Sequence, residues 1–138
     1  MRKLSEAEVM VEISKASAFS DSYSKASEDI KQLFQKLASE SSIYSCSDKG
    51  YAKDMAETGY RLARPYRTGR KIQNYCMFTI LSNQIVINLR TDRKPISSKT
   101  LDLVNKEDCF EGGFEWHRFR ISKESELPET LRLIEHFF

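Results

Sequence analysis

The sequence predicts an α+β domain in which N-terminal helices and a C-terminal helix pack on a small antiparallel sheet. Apolar residues recur at helical spacing up to about residue 40 and again near the end of the chain. Between these regions, apolar and polar residues alternate with the two-residue period of strands, and a short polar link joins two such runs. The chain is expected to form a single domain, 1–138, with a helical part over 1–42 and a sheet-containing part over 43–138.

Two helices are predicted in the N-terminal part. Ser5 and Glu8 have the spacing of a capping box, and apolar residues follow at helical intervals, so a first helix is expected over about 6–17. A break is expected at 18–21. A second helix over about 22–40 is predicted to have one polar and one apolar face. Its apolar stripe consists of Tyr23, Ala26, Ile30, Leu33, Phe34 and Leu37.

The middle of the chain is predicted to supply the first strands. A short strand is expected over 43–46, and a run that is apolar on both sides predicts a longer strand over 75–81. After a turn at Ser82 and Asn83, residues 84–90 alternate between apolar and polar side chains. Two strands with a tight link predict an antiparallel hairpin.

Three elements are predicted after the hairpin. A short helix capped by Ser97 or Ser98 is expected to contain Leu101, Leu103 and Val104. A strong strand is predicted over 114–121, and a terminal helix is expected to begin at Leu127, because Pro128 suits its first turn. The buried stripe of the terminal helix is expected to consist of Leu127, Leu131, Ile134 and Phe138.

Positive charge is concentrated in the middle of the chain. The net charge is +2, but residues 58–91 contain six basic side chains and no acidic one. Because an arginine fork binds two phosphate oxygens and a tyrosine ring stacks on unpaired bases, part of this segment is a candidate for binding nucleic acid. The candidate residues are Tyr60, Arg61, Arg64, Tyr66, Arg67, Arg70 and Lys71. A protein interface and a solvated loop remain open as alternatives.

The strand predicted over 114–121 offers a second basic surface. Alternation places Trp116, Arg118 and Arg120 on one side of the strand and His117 on the other. Arg118 and Arg120 are therefore candidate nucleic-acid-binding residues as well. The alternative is an edge strand whose charges discourage unwanted pairing.

Residue patterns that indicate catalysis or metal binding are scarce. Cys46, Cys76 and Cys109 are widely separated, so neither a disulfide framework nor a zinc site is expected. His117 has no evident nucleophile or orienting acid, and His136 is expected to interact with the dipole of the terminal helix. No catalytic residue, metal or cofactor is predicted, and the chain is expected to bind rather than to catalyse.

The start of the chain lacks the apolar run of a secretory signal, and its longest apolar stretches are far too short to cross a bilayer. The odd number of cysteines also argues against an oxidising compartment. We therefore expect a cytoplasmic protein with no membrane partner.

The C-terminal half carries a family resemblance. It depends on the hairpin FTILSNQIVINLR, the later run EGGFEWHRFRIS and the closing SELPETLRLIEHFF. With these motifs, residues 75–138 resemble a small bacterial domain of uncharacterised function. That domain is appended to larger proteins described as predicted restriction-type nucleases or as predicted transport proteins. The resemblance implies an accessory module attached to DNA-related machinery, in restriction or anti-phage defence, rather than an enzyme.

Three functional hypotheses follow. The leading one is a non-catalytic accessory domain that binds the phosphate backbone of DNA or RNA. The second is a protein-interaction module, such as a homodimer, that uses the aromatic end His136, Phe137 and Phe138. The third is a small metal-independent ribonuclease that depends on His117 or Arg118. Salt-dependent binding, loss of association on truncation, and RNA cleavage respectively would distinguish them.

Overall fold

A computed structural model describes residues 3–46, 59–65, 72–92, 94–107 and 115–138. The helices in these ranges are α1 (Glu6–Ile13), α2 (Ser17–Ser24), α3 (Glu28–Ser41) and α4 (Leu127–Phe137), with 3-10 turns at Ser42–Tyr44 and Glu124–Glu126. The strands are β1 (Tyr60–Pro65), β2 (Ile72–Ile80), β3 (Ile85–Arg90), β4 (Val104–Glu107) and β5 (Glu115–Ile121). They form one antiparallel sheet in the order β1-β2-β3-β5-β4, which confirms the predicted α+β class.

The helices pack on one face of the sheet. Alternate residues of β2, β3 and β5 belong to a single hydrophobic core together with side chains from all four helices. One row of this core runs across three strands, because Phe78 pairs with Ile87 and Ile87 with Phe119. The next row, Met77, Asn88 and Arg118, lies on the opposite face, which none of the described helices covers and which is called the helix-free face.

The N-terminal helices differ from the prediction. The capping box at Ser5 and Glu8 is confirmed, but α1 ends at Ile13 and the predicted break at 18–21 lies inside α2. The real boundary is at Ser27, whose side chain accepts a hydrogen bond from the Ile30 amide at 3.3 Å. A capping hydroxyl followed by two acidic residues favours a helix start there, whereas nothing in 18–21 prevents helix formation.

Two further predictions were wrong. Residues 42–44 form a 3-10 turn, so 43–46 is not a strand, although the Cys46 amide donates to the Ala63 carbonyl at 3.0 Å alongside β1. The helix predicted after Ser98 is absent from the described residues 97–104. The Ser98 hydroxyl does accept from the Leu101 amide at 3.0 Å, but Val104 then enters β4, because pairing with β5 satisfies its backbone in an extended conformation.

The C-terminal elements follow the prediction more closely. The β2–β3 hairpin is confirmed, and its link is closed by a hydrogen bond from the Leu81 amide to the Gln84 carbonyl at 2.9 Å. The strand predicted over 114–121 is confirmed over its described part, but as an interior strand, which makes the edge-strand alternative wrong. In α4, Phe137 rather than Phe138 is buried, and the buried stripe is Leu127, Thr130, Leu133, Ile134 and Phe137.

Candidate nucleic-acid interface

Tyr60, predicted to stack on bases, is a core residue. It begins β1 on the helix-covered face and is 1% exposed. Its ring stacks on Phe78 with centroids 5.9 Å apart and meets Phe34 edge-on at 5.4 Å. A base cannot reach this ring unless the core opens, so Tyr60 supports the fold instead of a nucleic-acid contact.

Arg64 is also occupied within the molecule. Its side chain is 13% exposed and lies over the Tyr75 ring, 5.4 Å from the centroid. One η-amino group donates to the Phe137 carbonyl at 2.6 Å and to the Arg90 carbonyl at 3.3 Å, and the other donates to Asp92 at 3.2 Å. Arg64 is the fifth residue of β1, and Pro65, which follows it, favours this extended backbone.

The Arg64 contacts belong to a network at the C-terminal end of α4. Arg90 donates its Nε–H to both carboxylate oxygens of Asp92, at 3.0 and 2.8 Å. Lys94 donates to the His136 carbonyl at 3.2 Å. Cations at the last carbonyls of a helix oppose its negative dipole end, so this network holds α4 against the sheet.

Arg61 is the first member of the basic segment that lies on the helix-free face. It pairs with Met77 in the sheet and is half-buried. Tyr66, Arg67, Arg70 and Lys71 lie outside the described residues, so their role stays a prediction. Pro65 and Ile72, the described residues on either side of that segment, face each other in the register of β1 and β2.

The helix-free face carries one sign of charge. At the described strand positions of this face there is no aspartate or glutamate, as the registers of all five strands show. The cations at these positions are Arg61, Arg90, Lys106, Arg118 and Arg120. Arg90 is bound to Asp92 at the end of its strand, whereas Lys106, Arg118 and Arg120 lie near one another on β4 and β5.

Three of these cations form a cluster. Arg118 and Arg120 are two residues apart in β5, which separates their Cα atoms by about 7 Å. Lys106 pairs with Trp116 and is therefore the diagonal neighbour of Arg118, at about 7–8 Å. Lys106 was not among the predicted site residues, because a helix rather than a strand was predicted just before it, at 101–104. The pairing of β4 with β5 brings Lys106 to this face.

The cluster has few internal contacts. The Arg118 Nε–H donates to Asn88 Oδ1 at 2.9 Å, and its η-amino groups donate to none of the residues in the described ranges. Arg120 is exposed, and neither it nor Lys106 forms an ion pair or side-chain hydrogen bond with any described residue. These side chains are therefore available to a ligand, unlike that of Arg64.

Aromatic surface is scarce on the same face. Trp116 is 6% exposed and lies beside Arg90 in the register. Met77 and Thr79 are half-buried, and Val104 is exposed. Within the part of the chain that the structure describes, no exposed ring occupies this face, so its chemistry suits phosphates better than bases.

A groove among the helices contains more acidic than basic side chains. This groove of about 810 Å³, between α1, α3 and the start of α4, is lined by Lys3, Lys36 and four glutamates. The lysines pair with Glu40 and Glu124, each at 2.7 Å. Glutamates outnumber lysines by four to two in this groove, whereas the described strand positions of the helix-free face carry no carboxylate. A polyanion is therefore attracted more strongly to the helix-free face than to this groove.

His117 lies on the helix-covered side of β5, opposite Arg118. Its Nδ1 is 2.9 Å from the Thr91 hydroxyl oxygen. Burial lowers the pKa of His117, while the nearby Glu115 carboxylate partly opposes this shift. Because neighbouring strand residues project to opposite faces, His117 and Arg118 are not brought together, and the geometry gives the ribonuclease hypothesis no shared site.

The cysteines, potential metal ligands and possible membrane-spanning helices are the other features to consider. Cys46 and Cys76 are free thiols, and burial raises the pKa of both, while Cys109 lies outside the described residues. No cluster of potential metal ligands occurs among the described side chains. None of the helices in the described ranges is long and apolar enough to cross a membrane.

The fold and this surface define a two-layer α+β domain with a basic, helix-free sheet face. No family model matches the chain, and no curated protein or solved structure shows significant similarity to it. The resemblance of residues 75–138 to the appended bacterial domain therefore stays a prediction.

Proposed function

We propose that this protein is a non-catalytic module that binds the phosphate backbone of nucleic acid on the helix-free face of its sheet. Arg118, Arg120 and Lys106 are the central contacts, and Arg61 lies three strands further along the sheet from Arg118. The observation that carries the proposal is that Lys106 and Arg120 each lie within about 8 Å of Arg118, on a face whose described strand positions contain no carboxylate.

Three cations at this spacing raise the free energy of the protein when no ligand is bound. Like charges at this spacing repel each other, and no acid at the described strand positions of the same face offsets them. A polyanion offsets the repulsion and releases its condensed counterions on binding, which drives association at low salt. Contacts of this kind position a protein on nucleic acid without reading its sequence.

Two sequence-based candidates leave the proposed interface. Tyr60 and Arg64 are used by the core and by the α4 network, respectively. Tyr66, Arg67, Arg70 and Lys71 stay in the proposal as a second set of contacts. The resemblance of residues 75–138 to a domain appended to nuclease-type proteins supports a DNA-associated role, in restriction or anti-phage defence.

The test is binding to labelled single- and double-stranded DNA and RNA of equal length over a series of salt concentrations. We expect affinity to fall steeply with salt, and the triple variant Arg118→Ala, Arg120→Ala, Lys106→Ala to bind at least about tenfold more weakly. The matched control replaces three exposed lysines outside the sheet, Lys25, Lys99 and Lys123, by alanine. Equal affinities for the two triple variants, or a salt slope near zero, would reject the proposal.

A second candidate, a protein-interaction module, is favoured by one observation. Phe138 is 40% exposed, although its ring lies 6.1 Å from that of Tyr44 and 5.9 Å from that of Tyr75. Because Phe137 is buried, removing both phenylalanines would damage the core. The sharper test is Phe138→Ser alone, with the molar mass measured by light scattering. A dimeric wild type and a monomeric, folded variant would support this candidate, and a monomeric wild type would remove it.

A further inference from the structure

A polar residue occupies the middle of the helix-free face. Asn88 lies in β3, the central strand of five, and is 3% exposed. Its neighbours in the register are Met77 on one side and Arg118 on the other. A buried amide is costly unless it is hydrogen-bonded, so a neutral apolar residue such as Val86, two positions earlier, would be the simpler choice for stability.

The hydrogen bond of Asn88 determines how Arg118 is held. The Nε–H of Arg118 donates to Asn88 Oδ1 at 2.9 Å. Because a guanidinium group only donates, the amide must present its oxygen to it. Fixing Nε fixes the plane of the guanidinium group, and the two η-amino groups remain without an acceptor among the described residues.

We propose that Asn88 is the positioning residue of a bidentate phosphodiester site at Arg118. A phosphodiester has two non-bridging oxygens, which the two parallel N–H groups of an arginine match. A side chain that is already held in place loses less conformational freedom when the ligand binds. This inference rests on the proposed function and adds that one arginine of the cluster contributes geometry as well as charge.

Arg120 provides the internal comparison. It lies on the same strand and the same face, but it is exposed and has no anchor among the described side chains. Lys106 likewise contributes a positive charge but no planar fork. The fork of arginine should therefore matter at position 118 and be dispensable at position 120.

The first experiment uses charge-preserving variants in the salt-series binding assay. Arg118→Lys is expected to lose affinity about fivefold, and Arg118→Ala about tenfold or more, because the bidentate contact disappears in both and alanine also removes the charge. Arg120→Lys keeps its charge and is expected to bind within about twofold of the wild type. Wild-type affinity for Arg118→Lys, or equal losses in the two lysine variants, would overturn the inference.

The second experiment separates positioning from charge. Asn88→Leu keeps the Arg118 charge but removes its anchor, so affinity should fall while the slope of log K against log salt stays at the wild-type value. Arg118→Ala removes the charge itself, and its slope should become shallower by about 0.7–0.9. A purely structural role for Asn88 would lower the melting temperature without changing the affinity of the folded fraction, which would also overturn the inference.

A third measurement does not require nucleic acid. In the NMR spectrum of the free protein, the Nε–H proton of Arg118 should exchange slowly with water in the wild type and rapidly in Asn88→Leu. The Nε–H proton of Arg120 should exchange rapidly in both. If Asn88→Leu does not fold, the comparison of Arg118→Lys with Arg120→Lys decides the question, since both leave β3 unchanged. If the wild type binds no nucleic acid but the Arg118 Nε–H is protected, the proposed function and the phosphodiester site are both rejected. The hydrogen bond between Arg118 and Asn88 would then be supported without a ligand.

Discussion

On the helix-covered side of the sheet, Arg64 donates to two backbone carbonyls and one carboxylate. Arg118, on the helix-free face, donates to a single group of the described residues, the side chain of Asn88. Both residues are arginines in strands, and both were candidates for the same role. What separates them is the number of acceptors that the fold places around each guanidinium group. An arginine surrounded by acceptors stabilises the protein, and one with free N–H groups is available to a ligand.

The same distinction applies to the basic segment as a whole. Local charge density in a sequence does not establish a charged surface, because Arg64 and Arg90 both bind Asp92 inside the network at the end of α4. The cluster of Lys106, Arg118 and Arg120 comes from parts of the sequence with a net acidic composition. Strand pairing, rather than clustering along the chain, assembles it.

The largest loss of stability is expected for a substitution of Tyr60 on the helix-covered side. Tyr60→Ala removes a ring packed between Phe34 and Phe78, so the free energy of unfolding should fall by about 3–5 kcal/mol. The measurement is urea denaturation followed by circular dichroism. Met77→Ala, on the helix-free face of the neighbouring strand, should cost only about 1 kcal/mol, since Met77 is half-buried. Similar losses for the two variants would show that the faces do not differ as described.

The next effect concerns Arg64. Arg64→Ala should lower the free energy of unfolding by about 2–3 kcal/mol, because it leaves carbonyls at the end of α4 and the Asp92 carboxylate with fewer donors. Arg120→Ala should change stability by no more than about 0.5 kcal/mol. Nucleic-acid affinity should respond in the opposite order, when it is measured on folded protein well below the melting temperature. If Arg64→Ala were as stable as Arg120→Ala, the assignment of Arg64 to the fold would be wrong.

Features that depend on interactions between residues close together in the sequence were predicted correctly. The capping box at Ser5, the β2–β3 hairpin and the alternation of Arg118 and Arg120 with His117 all depend on residues a few positions apart. The two-layer arrangement also follows from local periodicity, because one apolar face of each element must be covered.

Features that depend on residues far apart in the sequence were not predicted. The Arg64 acceptor in Phe137 lies 73 positions along the chain, and no local signal marks it. Lys106 could not be assigned to the site because the extended conformation of β4 is imposed by β5. Tyr60 has the residue type of a stacking platform, and only the packing of α3 against β1 and β2 shows that its ring is covered.

The smallest effect is expected for His117, whose substitution should change how the stability of the protein depends on pH. Its pKa is lowered from the usual 6.5 by burial, and Glu115 only partly counteracts this. The unfolded chain therefore binds more protons than the folded one as the pH falls through about 6.5, and the free energy of unfolding decreases until the lower folded pKa is passed. His117→Gln should remove this decrease, which appears as a difference from the wild type in urea midpoints measured between about pH 5 and 8. Arg118→Gln, at the next residue on the opposite face, replaces a group that does not titrate in this range and should leave the pH profile parallel to the wild type. A wild-type profile parallel to that of His117→Gln would mean that folding does not lower the pKa of His117, and that burial on the helix-covered side does not disfavour its charged form.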